Sequence, residues 1–122
     1  MSVSFNPQQA RENWLLAALS DREYERLIPH LELVSLSRHQ VLYDAGEEIT
    51  HVYFPNQALV SLVSIMADGA IAEVGIVGKE GMAGMPVCWG GNATITQAMV
   101  QISGTAMRMK AEQYLRFAPL PE

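Results

Sequence analysis

Few residues in this 122-residue chain can do chemistry, and their spacing decides what they can do. A small all-β metalloenzyme would need a pattern such as H-x-H with a nearby Glu and a further His. The chain instead has three scattered histidines: His30 after Pro29, His39 in a polar stretch and His51 before an apolar run. They are expected to be surface or strand-edge residues that bind neither metal nor haem. Cys88 is the only cysteine, so it can form no internal disulfide and would supply one of the four ligands that a zinc or iron-sulfur site requires. Its neighbours Val87 and Trp89 bring no cation to lower the thiol pKa, which points to a buried, inert cysteine. G-x-S-x-G, P-loop and H-E-x-x-H motifs are all missing. The expectation is a protein that is not an enzyme and carries no metal or cofactor.

Glycines are what remains: Gly75, Gly78, Gly81, Gly84, Gly90 and Gly91 crowd one stretch. Corners of an antiparallel sheet need residues that allow close backbone approach or positive φ, so corner-making is the first expectation. The amides around Gly81 to Met85 are also placed to meet an anion.

The elements that would position this stretch are mostly short strands. LELVSLS, QVLYDAG, HVYFPN, ALVSLVSIM, AIAEVGIVG, ITQAMVQIS and TAMRM are all of strand length. Asp68-Gly69 is a tight-hairpin dipeptide, and Asn56-Gln57 and Ser103-Gly104 mark further turns. Before them, Asn13 can cap a short helix carrying Trp14, Leu15, Ala18 and Leu19. Ser20-Asp21-Arg22-Glu23 is a capping box opening a second helix, with Tyr24, Leu27, Ile28 and Leu31 on one face and Pro29 in its last turn. Residues 81 to 91 break the strand rhythm and can hold a helical turn or two. Residues 111 to 117 begin a last helix that Pro119 and Pro121 stop. Met66, Met99, Met107 and Met109 read as core filling. The fold class is mainly β: an antiparallel β-roll or jelly-roll, with short N-terminal helices and the start of a C-terminal helix.

Composition sets the outer limits. The chain has room for one domain, with helices over about 13–31, the roll over about 32–109 and the helix start at about 111–117. Thirteen acidic and eight scattered basic residues give a net charge of -5, a poor footprint for binding nucleic acid. No signal-peptide pattern or membrane-length apolar run occurs, so a cytoplasmic protein without a membrane partner is expected.

HVYFPxxxxVSLV, ADG, EVGIVGKEGMxG and QAMVQISG together resemble the sensor β-roll of Crp/Fnr-family bacterial transcription regulators, the cyclic-nucleotide-binding-like domain. The resemblance spans about Leu15 to Phe117. It implies a pocket in which an Arg and helix-end amides hold a cyclic phosphate, while the Glu of a Gly-Glu pair takes the ribose hydroxyl. On this chain Gly84-Met85 stands where Gly-Glu is expected, and Thr96-Gln97-Ala98 where Arg-Ser/Thr-Ala is expected. Both charged residues are missing, and no Arg occurs between Arg38 and Arg108. Losing one partner of a buried charge pair costs about 2–5 kcal/mol of binding, a loss of roughly 30-fold to a few thousand-fold. Gly84, Met85, Thr96, Gln97 and Ala98 are therefore expected to form a degenerate pocket that does not usefully bind cyclic AMP or cyclic GMP. Met82 and Met85 are expected to fill part of it.

The resemblance further implies a regulatory domain with an unknown effector. DNA would be contacted only through a C-terminal domain that is not among these residues. The alternative is a stand-alone interaction or dimerisation module without a small-molecule ligand. A homodimer is expected to draw on apolar surface around Leu115 and Phe117.

Overall fold

The computed structural model describes residues 2–3, 7–84 and 96–117. Two four-stranded antiparallel sheets make up the roll. Strands β1 (Ser2–Val3), β2 (Glu32–Leu36), β8 (Gly104–Lys110) and β4 (His51–Pro55) form the first, in the order β1-β2-β8-β4. The second runs β3-β7-β5-β6, from β3 (Val41–Tyr43), β7 (Gln97–Ile102), β5 (Leu59–Ile65) and β6 (Ile71–Val77). Among the described residues four α-helices accompany them: α1 (Pro7–Ala10), α2 (Trp14–Ala17), α3 (Asp21–Leu27) and α4 (Ala111–Phe117). The antiparallel β-roll with short N-terminal helices and a C-terminal helix start is as expected; β1 and α1 were not legible in the sequence.

Both anticipated caps form. Asn13 Oδ1 accepts from Leu15 N (3.0 Å) and Leu16 N (3.4 Å). Ser20 Oγ accepts from Glu23 N (3.2 Å), while Glu23 Oε1 accepts from Ser20 N (3.0 Å). These caps matter because neither α2 nor α3 is long enough to persist on propensity alone. Pro29 opens no further helix; a 3₁₀ turn over Ile28–His30 ends α3. Leu31 therefore follows that turn in extended conformation and still packs into the core. The face of α2 is also corrected. Leu16 is the buried residue, whereas Trp14 is 59% exposed. A four-residue helix is too short for the 3.6-residue period to fix its phase.

The first sheet is covered well. Register places Leu33 and Phe54 on either side of Met107, with Val52 opposite Met109 on the same face, and all five are buried. Val34, Tyr53 and Ala106, which alternate with them, are buried too. In the second sheet Val60 pairs with Val100 and both are fully buried. Its edge strand β6 is different: Ile71, Val74 and Ile76 are exposed. The single charge in β6, Glu73, accepts a hydrogen bond from Ser61 Oγ on β5 (2.5 Å). Met107 and Met109 fill the core as expected, and Met99 is half-buried. Met66 does not: it lies in the β5–β6 turn at 51% exposure, its N–H donating to Ala70 O. Gly69 in that turn has φ +88°, as the Asp-Gly signal requires.

Candidate functional site

The glycine-rich stretch is built from a turn and a bridge. Gly81 N donates to Gly78 O (3.1 Å), closing a tight turn at the end of β6. Ala83 then exchanges two hydrogen bonds with Tyr53 (3.0 and 2.8 Å), which fastens the segment to the edge of β4. Gly84 follows with φ +104°, and a Cβ there would stand 2.9 Å from Val52 Cγ1. Both its conformation and its closeness to β4 demand glycine.

The same stretch is anchored from the N-terminal side. Asn13 is fully buried, and besides capping α2 its Nδ2 donates to Pro55 O (2.8 Å) and Gly81 O (2.9 Å). Trp14 N donates to Lys79 O (2.6 Å), and Lys79 Nζ lies 5.8 Å from the centre of the Trp14 ring. One side chain thus joins helix, sheet edge and glycine turn.

Of the five anticipated pocket residues, Gly84 and Ala98 are brought together through Tyr43. Tyr43 is opposite Ala98 in the β3–β7 register, and both are buried. The Gly84 backbone amide hydrogen-bonds to the Tyr43 hydroxyl. Burial pushes the Tyr43 pKa up and that amide opposes the rise, so the phenol stays protonated at neutral pH. Gln97 begins β7, and its Nε2 donates to Asp44 Oδ1 (3.2 Å). Thr96, half-buried, precedes it, and Met85 lies outside the described residues. So do Cys88, Gly90 and Gly91, together with the anticipated helical turn beyond Gly84.

Tyr43 and Asp44 are the site residues that sequence reading did not single out. Their signal was faint: an aromatic with a polar tip at the end of a strand, followed by an acid and a turn glycine in YDAG. Asp44 Oδ1 also accepts from Ala45 N (2.9 Å), and Glu47 Oε1 accepts from Asp44 N (2.6 Å). The charges beside Gln97 are therefore carboxylates.

The histidines do not converge. His39 sits at φ +75° in a turn, exposed, with its N–H on Val100 O (2.8 Å). His51 starts β4 and its Nδ1 lies 3.0 Å from Thr50 Oγ1. Burial holds the His51 pKa below the usual histidine value, and the nearby Arg108 charge adds to this. Arg108 itself pairs with Glu32 (2.7 Å) across β2 and β8. Among the described residues no three His, Cys, Asp or Glu gather to hold a metal ion, and no helix is long and apolar enough to cross a membrane.

Solved structures share this fold. The regulatory subunit of a cAMP-independent protein kinase A from Trypanosoma brucei superposes with a TM-score of 0.78 at 17% identity, covering 90% of this chain and 40% of that one. The N-terminal domain of a transcriptional regulator from Streptomyces coelicolor A3(2) gives 0.72 at 19%, covering 88% and 76%. The sensor domain of the transcriptional regulator DNR from Pseudomonas aeruginosa gives 0.71 at 15%, covering 90% and 73%. The fold is the cyclic-nucleotide-binding β-roll. This β-roll spans about two fifths of the kinase regulatory subunit it matches. No protein-family model and no curated protein sequence matches the chain. The likeness is therefore one of backbone.

Proposed function

We propose that this β-roll is the effector-sensing regulatory domain of a Crp/Fnr-like transcription regulator, with a pocket degenerate for cyclic nucleotides. The observation that carries the reading is the pairing of Gln97 with Asp44. A cyclic phosphate needs a cation; this position offers a carboxylate. The domain works by binding and not by catalysis, in the cytoplasm, and the DNA contact belongs to a C-terminal domain outside these residues. Calorimetry with cyclic AMP and cyclic GMP tests this: no saturable heat is expected, and a low-micromolar dissociation constant for either would overturn it.

A second reading has its own observation. The bare apolar row Ile71, Val74 and Ile76 on edge strand β6 suits a stand-alone interaction or dimerisation module. Leu115 on α4, 46% exposed, adds apolar surface of the kind a homodimer would cover. Sedimentation at increasing concentration separates the readings. A dimer that dissociates when Ile76 is changed to Lys favours the module, and a monomer throughout favours the sensor.

A further inference from the structure

A cleft of about 160 Å³ lies where α2, α3, β4, the glycine-rich segment and α4 meet. Leu16, Leu19, Leu27, Phe54, Met82 and Tyr114 line it, and Leu15, more exposed than these core residues, completes the wall. Among the described residues that line it none is charged, and Tyr114 alone carries a polar side-chain group. The cleft is partly open to solvent, and its apolar lining gives the water within it few polar partners, so that water is readily displaced. An enclosed cavity of roughly 150 Å³ lined by Leu, Ile and Phe is known to be large enough for benzene, which sets the scale of the occupant.

We propose that this cleft binds a small neutral apolar molecule, a monocyclic aromatic or a branched hydrocarbon of similar bulk. The site is separate from Tyr43, Gly84 and Ala98, none of which lines it. A charged ligand is disfavoured because its charge would be desolvated with no partner. Met82 suits the role, since its flexible thioether adapts to irregular shapes and makes favourable contacts with aromatic rings.

The location gives such binding a consequence. Met82 lies between Gly81, held by Asn13, and Ala83, held by Tyr53. Phe54 belongs to β4, and Tyr114, whose ring centroid is 6.1 Å from that of Phe54, belongs to α4. An occupant therefore touches the N-terminal helices, the glycine-rich segment and the C-terminal helix together. Any preference it has for one arrangement of these parts shifts their equilibrium.

The test is a titration of benzene into the 122-residue chain, followed by methyl NMR and by thermal unfolding. Expected are saturable shifts confined to the methyls of Leu16, Leu19, Leu27 and Met82, and a melting temperature that climbs with benzene concentration by mass action. Leu19→Phe, which fills the cleft, is expected to weaken binding at least about ten-fold. Leu15→Trp carries the same expectation from a position exposed enough to accept the bulk. Shifts that do not saturate up to the solubility limit would overturn the proposal. So would shifts centred on Ile71, Val74 and Ile76, or unchanged affinity in both variants. The readout is binding alone, so it stands or falls independently of the cyclic-nucleotide calorimetry.

Discussion

Strands β8 and β6 are both seven residues long, and β8, the one with fewer apolar side chains, is the better buried of the two. β8 sits between β2 and β4, and its Ala106, Met107 and Met109 are fully buried. β6 has a neighbour on one side only among the described residues, and its Ile71 is 65% exposed. The difference teaches that burial here follows position in the ladder and cover by helices, not hydrophobicity. A strand of Ile and Val is a core strand only if something lies over it.

Mutations can break or sharpen that contrast. Met107→Ala in β8 should have the largest effect, about 2–5 kcal/mol of lost stability from lost transfer energy and a cavity; urea unfolding measures it. Asn13→Ala removes the cap of α2 and takes the donor from the buried Pro55 carbonyl and the half-buried Gly81 carbonyl. A loss of about 3 kcal/mol is expected from the two effects together, with faster amide exchange at Leu15 and Leu16. Gly84→Ala forces positive φ on a residue with a Cβ, at a cost of roughly 1–2 kcal/mol, and crowds Val52 as well. Ile71→Thr on β6 should shift stability by no more than about 0.5 kcal/mol; a loss as large as that from Met107→Ala would mean that β6 is covered in solution.

The smallest effect is a dependence on pH. The His51 pKa is lowered in the folded state, so the unfolded chain binds more protons as pH falls through the ordinary histidine range. Stability should therefore be fully present above that range and decline on acidification, and His51→Gln should flatten the slope. An unchanged slope in the variant would assign the dependence to other groups.

Much of the scaffold was legible because it is written locally. Asn13, the Ser20 box and Asp68-Gly69 each fix a few dihedrals through nearby atoms, so residue type and spacing suffice. Leu16 and Met66 show the limit: a four-residue helix has no readable phase, and a methionine beside a strand is buried only if the turn tucks it in. Of the expected pocket positions, Gly84 and Ala98 both lie against Tyr43, and the lack of an Arg between Arg38 and Arg108 was visible in the sequence. The roles of Tyr43 and Asp44 depend on β3 lying beside β7, a pairing across more than fifty residues that no local pattern encodes.

The hydrogen bonds of Asn13 have a consequence for the order of events during synthesis. Its partners Pro55 and Gly81 lie 42 and 68 residues downstream. On a ribosome α2 emerges before both, and the side chain that caps it finds its second acceptor only once Gly81 has followed. Long-range closures of this kind are slow to form, and a helix of four residues does not hold without them. These helices are thus completed late, and a chain stalled before the glycine turn presents Leu16 and Leu27 incompletely covered, a natural target for chaperones.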